Sequence, residues 1–323
     1  MILAYLSISL AVMVCESQVI AAPNQIDQPS EATAAAVIGT SVSAISLSIF
    51  DVLIVASAVV VVGTFFFMGW FRLKGSPRQA FPDVALISIA MFIGYFVLGQ
   101  VGVSMAAAVC GIDVKAMGGG NSSALSLADQ VRLVSGQYLA QAIVVGAFIV
   151  MRRRGALPTE RPRMGLLKSI LIGVATLVLA WPVVLTVASL TAVLSGRPLE
   201  SIAHETLREL VNNPVDRWVV ILSLLVVFVA PALEEFGYRM LLQRALARIG
   251  LGPWPAIVLT SLMFALMHAR IAPVPALAGL FVLSLALGWA FEKTGRISAS
   301  IVMHTLFNAA NLTAALFLHN AEG

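Results

Sequence analysis

Long apolar runs separated by short polar joints dominate the chain from about residue 45 onward. They cover about 45–70, 82–110, 131–151, 167–194, 218–246, 254–272, 275–292 and 298–318. Each is close to the ~20 residues that a helix needs to cross a bilayer core. The pattern predicts an all-α fold: a polytopic membrane helical bundle of about eight transmembrane helices. A shorter apolar run opens the chain and ends in Val19-Ile20-Ala21, a small-residue cleavage pattern. Residues 1–22 therefore form a signal-like segment, although no Lys or Arg precedes its apolar part. Residues 23–40 are rich in Pro, Gln, Ser, Thr and Ala and predict a linker. An N-terminal transmembrane region over 41–160 and a second bundle over 165–318 follow.

Composition agrees with the pattern. Of 323 residues, 59% are hydrophobic and 11% charged, with a mean hydropathy of +0.96. Soluble domains carry about 25% charge. The net charge of +4 gives no reason to expect nucleic acid, because the placement of the cations explains it. With the loops after the first, third, fifth and seventh spans in the cytoplasm, fourteen Lys and Arg fall on that side and six on the other. That is the bias expected of inner-side loops, and it suits the cytoplasmic (inner) membrane of a bacterium. Cys15 and Cys110 are the only cysteines, so neither a disulfide framework nor a thiolate metal site is indicated. The longest polar connection of the second half, "GRPLESIAHETLRELVNNPVDR", has Ile202, Leu207 and Leu210 spaced for a short interfacial helix. His204, Glu205 and Glu209 are then solvated charge on that helix.

The candidate chemistry lies where the apolar pattern breaks. "WVVILSLLVVFVA" is followed by "PALEEFGYRM", which places Glu234, Glu235 and Arg239 about halfway along one span. On insertion scales each central charge costs roughly 2.5–3.5 kcal/mol unless it is paired or lines a polar cavity. Glu235 and Arg239 stand one helical turn apart with the acid first, the favourable order for an ion pair. Glu234 is rotated by about 100° from its neighbour and lacks such a partner. The spacing therefore gives the two acids different jobs, with Glu235 and Arg239 structural and Glu234 available for chemistry.

Later spans supply groups to meet it. "SLMFALMHAR" places Phe264 and His268 on one helix face, and "IVMHTLFNAANL" does the same for His304, Asn308 and Asn311. Histidine and asparagine inside a membrane need partners, so these faces point into the bundle. Asn311 is read as interhelical glue. A carboxylate with limited access to bulk water can take a proton from a water molecule. An imidazole can orient that water or pass the proton on, and Asn and His can donate to a tetrahedral oxyanion. The set suits hydrolysis of a peptide bond without a covalent intermediate. It also suits Zn2+, because Glu234, His268 and His304 with an open water position would make a hydrolytic metal site.

The order "EExxxR", "FxxxH", "HxxxN" on successive apolar helices resembles the CPBP intramembrane proteases, the family of CAAX-processing endopeptidases and of bacterial bacteriocin-processing and immunity proteins. "EKTGRISASIVMHTLFNAAN" resembles the family's approach to its last motif. The resemblance covers roughly residues 165–318, the protease-like core. It implies Glu234 as the activating base and Glu235, Arg239 and Phe264 as motif partners. It further implies His268 acting with Glu234 on water, and His304 and Asn308 stabilising the oxyanion. The expected substrate is a membrane-associated peptide or protein. Met240 departs from the glycine that many members carry after the arginine. A non-catalytic immunity or transport protein built on the same residues is the alternative.

Overall fold

The computed structural model describes residues 59, 73, 82–112, 125–157, 162–196, 205–213 and 215–322. The signal-like segment, the linker, the 45–70 span apart from Val59, and His204 lie outside the described residues. From Pro82 onward the described residues form eight helices: α1 (Pro82–Cys110), α2 (Leu127–Arg153), α3 (Leu166–Ser195), α4 (Glu205–Asn212), α5 (Arg217–Leu251), α6 (Pro253–Met267), α7 (Val274–Thr294) and α8 (Ile297–Glu322). Six of them, α1, α2, α3, α5, α7 and α8, are long and apolar enough to cross a membrane. The protein is an all-helical, multi-pass integral membrane protein. Val97, Met105 and Val109 of α1 and Leu171 and Val178 of α3 are exposed, as side chains facing lipid would be.

Helix α6 differs from the sequence expectation of a span over 254–272. It stops at Met267 after 15 residues, and at ~1.5 Å per residue it covers only ~22 Å. The stop has local causes. His268 and Ala269 donate to carbonyls three residues back, and Ile271 and Ala272 both bond to the His268 carbonyl. The chain therefore turns before Pro273, which disfavours a helical residue ahead of it. His268 thus caps the end of a short helix instead of lying within a long one.

Helix α5 is the axis of the fold. It contacts α1 and α2 on one side and α6, α7 and α8 on the other, while α3 packs on α7 and α8. Asp216 caps its N-terminus, its Oδ1 accepting from the Trp218 and Val219 amides at 2.8 and 3.0 Å. The amphipathic helix anticipated in the polar connection is α4, whose Leu210 is buried with Val131 of α2 and Val219 and Leu222 of α5. At the other end of the bundle, Arg163 ties the connection before α3 to the end of α7. Its Nη1 donates to the Glu292 carbonyl at 2.7 Å and its Nη2 to Glu292 Oε1 at 3.1 Å.

α1 and α2 form the most intimate pair. Gly102 and Gly136 face each other at their crossing, where a Cβ on either would fall against the backbone oxygen of the other. Close backbone approach through small residues is how helices gain dispersion contacts when lipid offers no hydrophobic driving force. Gly102→Ala is expected to cost about 1–3 kcal/mol through overpacking and to lower the melting temperature in detergent. Gly94→Ala, whose Cβ meets nothing within 4 Å, should leave the melting temperature in place. Equal melting curves for the two variants would show that the crossing is not a tight constraint.

Candidate active site

The site is assembled around the middle of α5, where the backbone departs from α-helical winding. Residues Leu225–Val229 and Phe236–Gln243 take the wider π-helical turn, with an α-helical segment, Ala230–Glu235, between them. Such turns inside α-helices often mark functional positions. Here the cause is partly legible. The Ala230 amide donates to Leu225 O, five residues back. The next donor in that register would be Pro231, which has no N–H. The Val226 carbonyl is left to another partner, and Asn308 Nδ2 of α8 donates to it at 2.9 Å.

One turn beyond Pro231 lie the two glutamates. Glu235 and Arg239 are fully buried (0% exposed) and paired, with Arg239 Nε donating to Glu235 Oε2 at 2.9 Å. Arg239 Nη2 donates to Ser284 Oγ of α7 at 2.9 Å, and the Phe264 ring faces the guanidinium at 5.8 Å, within cation–π range. The second oxygen of Glu235 is engaged by His304 of α8, whose Nδ1 lies 3.0 Å from Oε1. An ionised carboxylate only accepts, so this nitrogen carries the proton. His304 Nε2 then points toward the other acid, 3.9 Å from Glu234 Oε2. The side chain of Glu234 keeps 27% of its surface exposed. Adjacent carboxylates thus have opposite environments, one locked on both oxygens and one open.

His268 reaches the cluster through Phe264. The fully buried Phe264 ring is 4.7 Å from the His268 ring, 5.7 Å from His304 and 5.1 Å from Tyr238. His268 Nδ1 is 2.8 Å from the Phe264 carbonyl, an acceptor, so it too carries its proton on Nδ1. In both histidines Nδ1 is thus the committed donor, and His304 Nε2 is the ring nitrogen that faces Glu234.

The structure brings Glu234, Glu235, Arg239, Phe264 and His304 into one contiguous cluster, with His268 joined at its edge and Asn308 one turn away from His304 on α8. Asn311 differs from its expected role between helices. Its Nδ2 donates to the Phe307 carbonyl of its own helix at 2.8 Å, because a short amide on a helix readily bonds back one turn. A three-donor metal set is not gathered by Glu234, His268 and His304 as they stand, and no cluster of three or more His, Cys, Asp or Glu suited to a metal occurs among the described residues. In both histidines Nδ1 is committed to an acceptor, which is the arrangement that orients Nε2 of a metal-ligating histidine.

Two members of the site were not anticipated. Ser284 is the only hydroxyl between Val274 and Phe291, and that isolation within an apolar span was the available signal. Gln243, one turn after Arg239, is buried and donates to the Gly288 carbonyl of α7 at 3.1 Å. Its position on the Glu235–Arg239 face could have exposed it.

Membrane-length helices enclosing a carboxylate–imidazole cluster define a multi-pass membrane protein with a buried polar site. Residues 216–310 match the family model described as type II CAAX prenyl endopeptidase Rce1-like. The match includes every one of the candidate residues from Glu234 to Asn308, and it agrees with the CPBP resemblance of the motifs. An intramembrane endopeptidase is the function class that this match supports. No curated protein and no solved structure matches the chain.

Arg239→Met leaves Glu235 buried without its cation, and breaking a buried pair in this way costs about 3–5 kcal/mol. We expect a large loss of folded yield and of melting temperature. Ser284→Ala, which removes only one neutral acceptor, should cost about 1–3 kcal/mol. Thermal unfolding in detergent, followed by intrinsic fluorescence, checks the order of the two variants.

Proposed function

We propose that the protein hydrolyses a peptide bond within a membrane-associated peptide or protein, using water activated by Glu234. The observation that carries this reading is the contrast between the two adjacent acids. Glu235 is fully buried and held on both oxygens, whereas Glu234 is partly exposed and lies beside His304 Nε2. A fixed carboxylate supplies orientation, and an open one can exchange a proton.

In the proposed reaction Glu234 takes a proton from water as the water oxygen bonds to the scissile carbonyl carbon. The same proton then passes from Glu234 to the leaving amide nitrogen as the C–N bond breaks. His268 assists in orienting the water through Nε2. His304 and Asn308 stabilise the oxyanion. Asn308 has one amide proton on Val226 O and a second to give, since a side-chain amide carries two donors. Glu235 and Arg239 keep His304 in the tautomer with its proton on Nδ1. The positive-inside distribution of Lys and Arg orients this bundle in a bacterial cytoplasmic membrane.

Glu234→Gln removes the base at constant shape. Hydrolysis should fall by about 10²–10⁴-fold, with an unchanged melting temperature. Comparing new protein N-termini in membranes of cells expressing wild type or Glu234→Gln at equal levels reads out the activity and supplies substrates. Ends that persist in the variant would overturn the base assignment. Purified protein should keep cleaving such a substrate in detergent without any ion gradient, and after treatment with a strong chelator. Loss of activity to the chelator would favour the zinc alternative, and dependence on a gradient would favour a transporter.

A further inference from the structure

Helix α2 makes its main contacts with α5 between Arg217 and Glu235. Phe148 closes that contact, its ring meeting Phe236 edge-on at 5.2 Å. Toward the end of α2 the two helices part, and a cavity of about 470 Å³ opens between α2, α5 and the start of α8. That volume lies within the ~300–1,000 Å³ of ordinary ligand pockets. Phe148 and Ile149 of α2, Phe236 and Met240 of α5 and Ile297 of α8 form its apolar wall. Ile149 is 44% exposed, so the cavity is a cleft with one flank open toward lipid.

The polar end of the cleft carries one sign of charge. Arg152 and Arg153, in the last turn of α2, line its mouth, and no acidic side chain lines any part of it. Other arginines of the bundle are matched to acids: Arg132 to Asp129, Arg163 to Glu292 and Arg239 to Glu235. Arg152 and Arg153 have no ion pair among the described residues. They stand at the end of a membrane-length helix, where the hydrocarbon core gives way to headgroups. A basic pocket between membrane helices at that level suits an anionic lipid head. The apolar wall beneath it suits a hydrocarbon chain. A zwitterionic lipid matches less well, because its cation would meet two arginines and no acid.

We propose that this cleft binds an anionic phospholipid of the phosphatidylglycerol class, with an acyl chain along Phe148, Ile149 and Met240 and the phosphate on Arg152 and Arg153. Guanidinium groups offer planar, forked donors that match phosphate oxygens. Met240 gives the floor an unbranched, adaptable side chain. Phe236 and Met240 directly follow Glu235 and Arg239 in the chain, so the lipid packs on the segment of α5 that carries the buried pair and fastens α2 to it. On the orientation that the lysines and arginines favour, the mouth opens in the cytoplasmic leaflet. The inference does not depend on the peptidase reading.

The test uses the full-length protein purified in mild detergent. Native mass spectrometry with added dioleoylphosphatidylglycerol should show a retained lipid, and the melting temperature should rise saturably with its concentration. Dioleoylphosphatidylcholine should give neither effect. Replacing both cations, R152Q with R153Q, should weaken binding about 10–100-fold. Arg154→Gln removes the next charge, outside the cleft, and should leave binding unchanged. Ile149→Trp fills the open flank and should weaken binding with both arginines intact. Melting of each variant without lipid, close to wild type, separates lost binding from lost folding. Equal binding of the two lipids, or undiminished binding by the double variant, would overturn the proposal. A matching rise in melting temperature with glycerol 1-phosphate would reduce the site to an anion site on the arginines, and the proposal would fail. A dimer that retains no lipid would assign the cleft to a second copy of the chain and would also sink it.

Discussion

A carboxylate and a guanidinium buried side by side on one membrane helix set the terms for the rest of the structure. Neither Glu235 nor Arg239 has any exposed surface, and at this depth an uncompensated charge is costly. The pair is held because neighbouring helices take up part of its remaining hydrogen-bonding capacity, although Arg239 Nη1 makes no hydrogen bond. Ser284 of α7 accepts from the guanidinium, and His304 of α8 donates to the second carboxylate oxygen. Removing either helix would strand a charge. The pair therefore fixes the positions of α7 and α8 about α5, and the orientation of His304 follows from it. Only one acid is used in this way. The neighbouring Glu234 is rotated away and remains open, and the locked pair is what makes the open acid's surroundings rigid.

The second constraint is backbone hydrogen bonding. No water is present in the hydrocarbon core to satisfy a stray carbonyl, so irregular backbone survives there only where protein supplies the partner. Pro231 removes an N–H just before the glutamates, and the π-helical winding on either side shifts the register. Asn308 satisfies the Val226 carbonyl that results. The same arrangement holds the α5–α8 interface one turn from His304. Asn308 thus has a structural bond in addition to the donor it has left for chemistry. Its deletion would disturb the helix that carries the acids as well as any oxyanion contact.

Much of this was legible in the sequence, for definite reasons. Membrane spans are set by length and hydropathy, so α1, α2, α3, α5, α7 and α8 follow from counting apolar residues. The Glu235–Arg239 pair follows from one-turn spacing and from the cost of leaving either charge alone. What did not follow depends on contacts between helices or on altered winding. Ser284 is unremarkable until an arginine from another helix finds it. The π-helical turns of α5 have no composition signature beyond Pro231, and the early end of α6 reflects a turn before Pro273 that an apolar run conceals. Tyr95 looks like an ordinary interfacial or core aromatic in its own span. Only the packing of α1 against α5 sets the Tyr95 ring at Gly237.

That packing bears on how a membrane protein can hold a water-activating acid. Such an acid needs access to water but must not be flooded, and its polar neighbours must not be left unsatisfied against lipid. Aromatic packing meets the first demand. Phe92 and Phe96 of α1 pack on Tyr238, and Tyr238 packs on Phe264, whose ring lies beside both histidines. Large rings fill the space beside the cluster with few rotatable bonds and limit the room for bulk water. That is a physical reason for α1 and α2 to lie against the half of the molecule that carries the acid and the histidines.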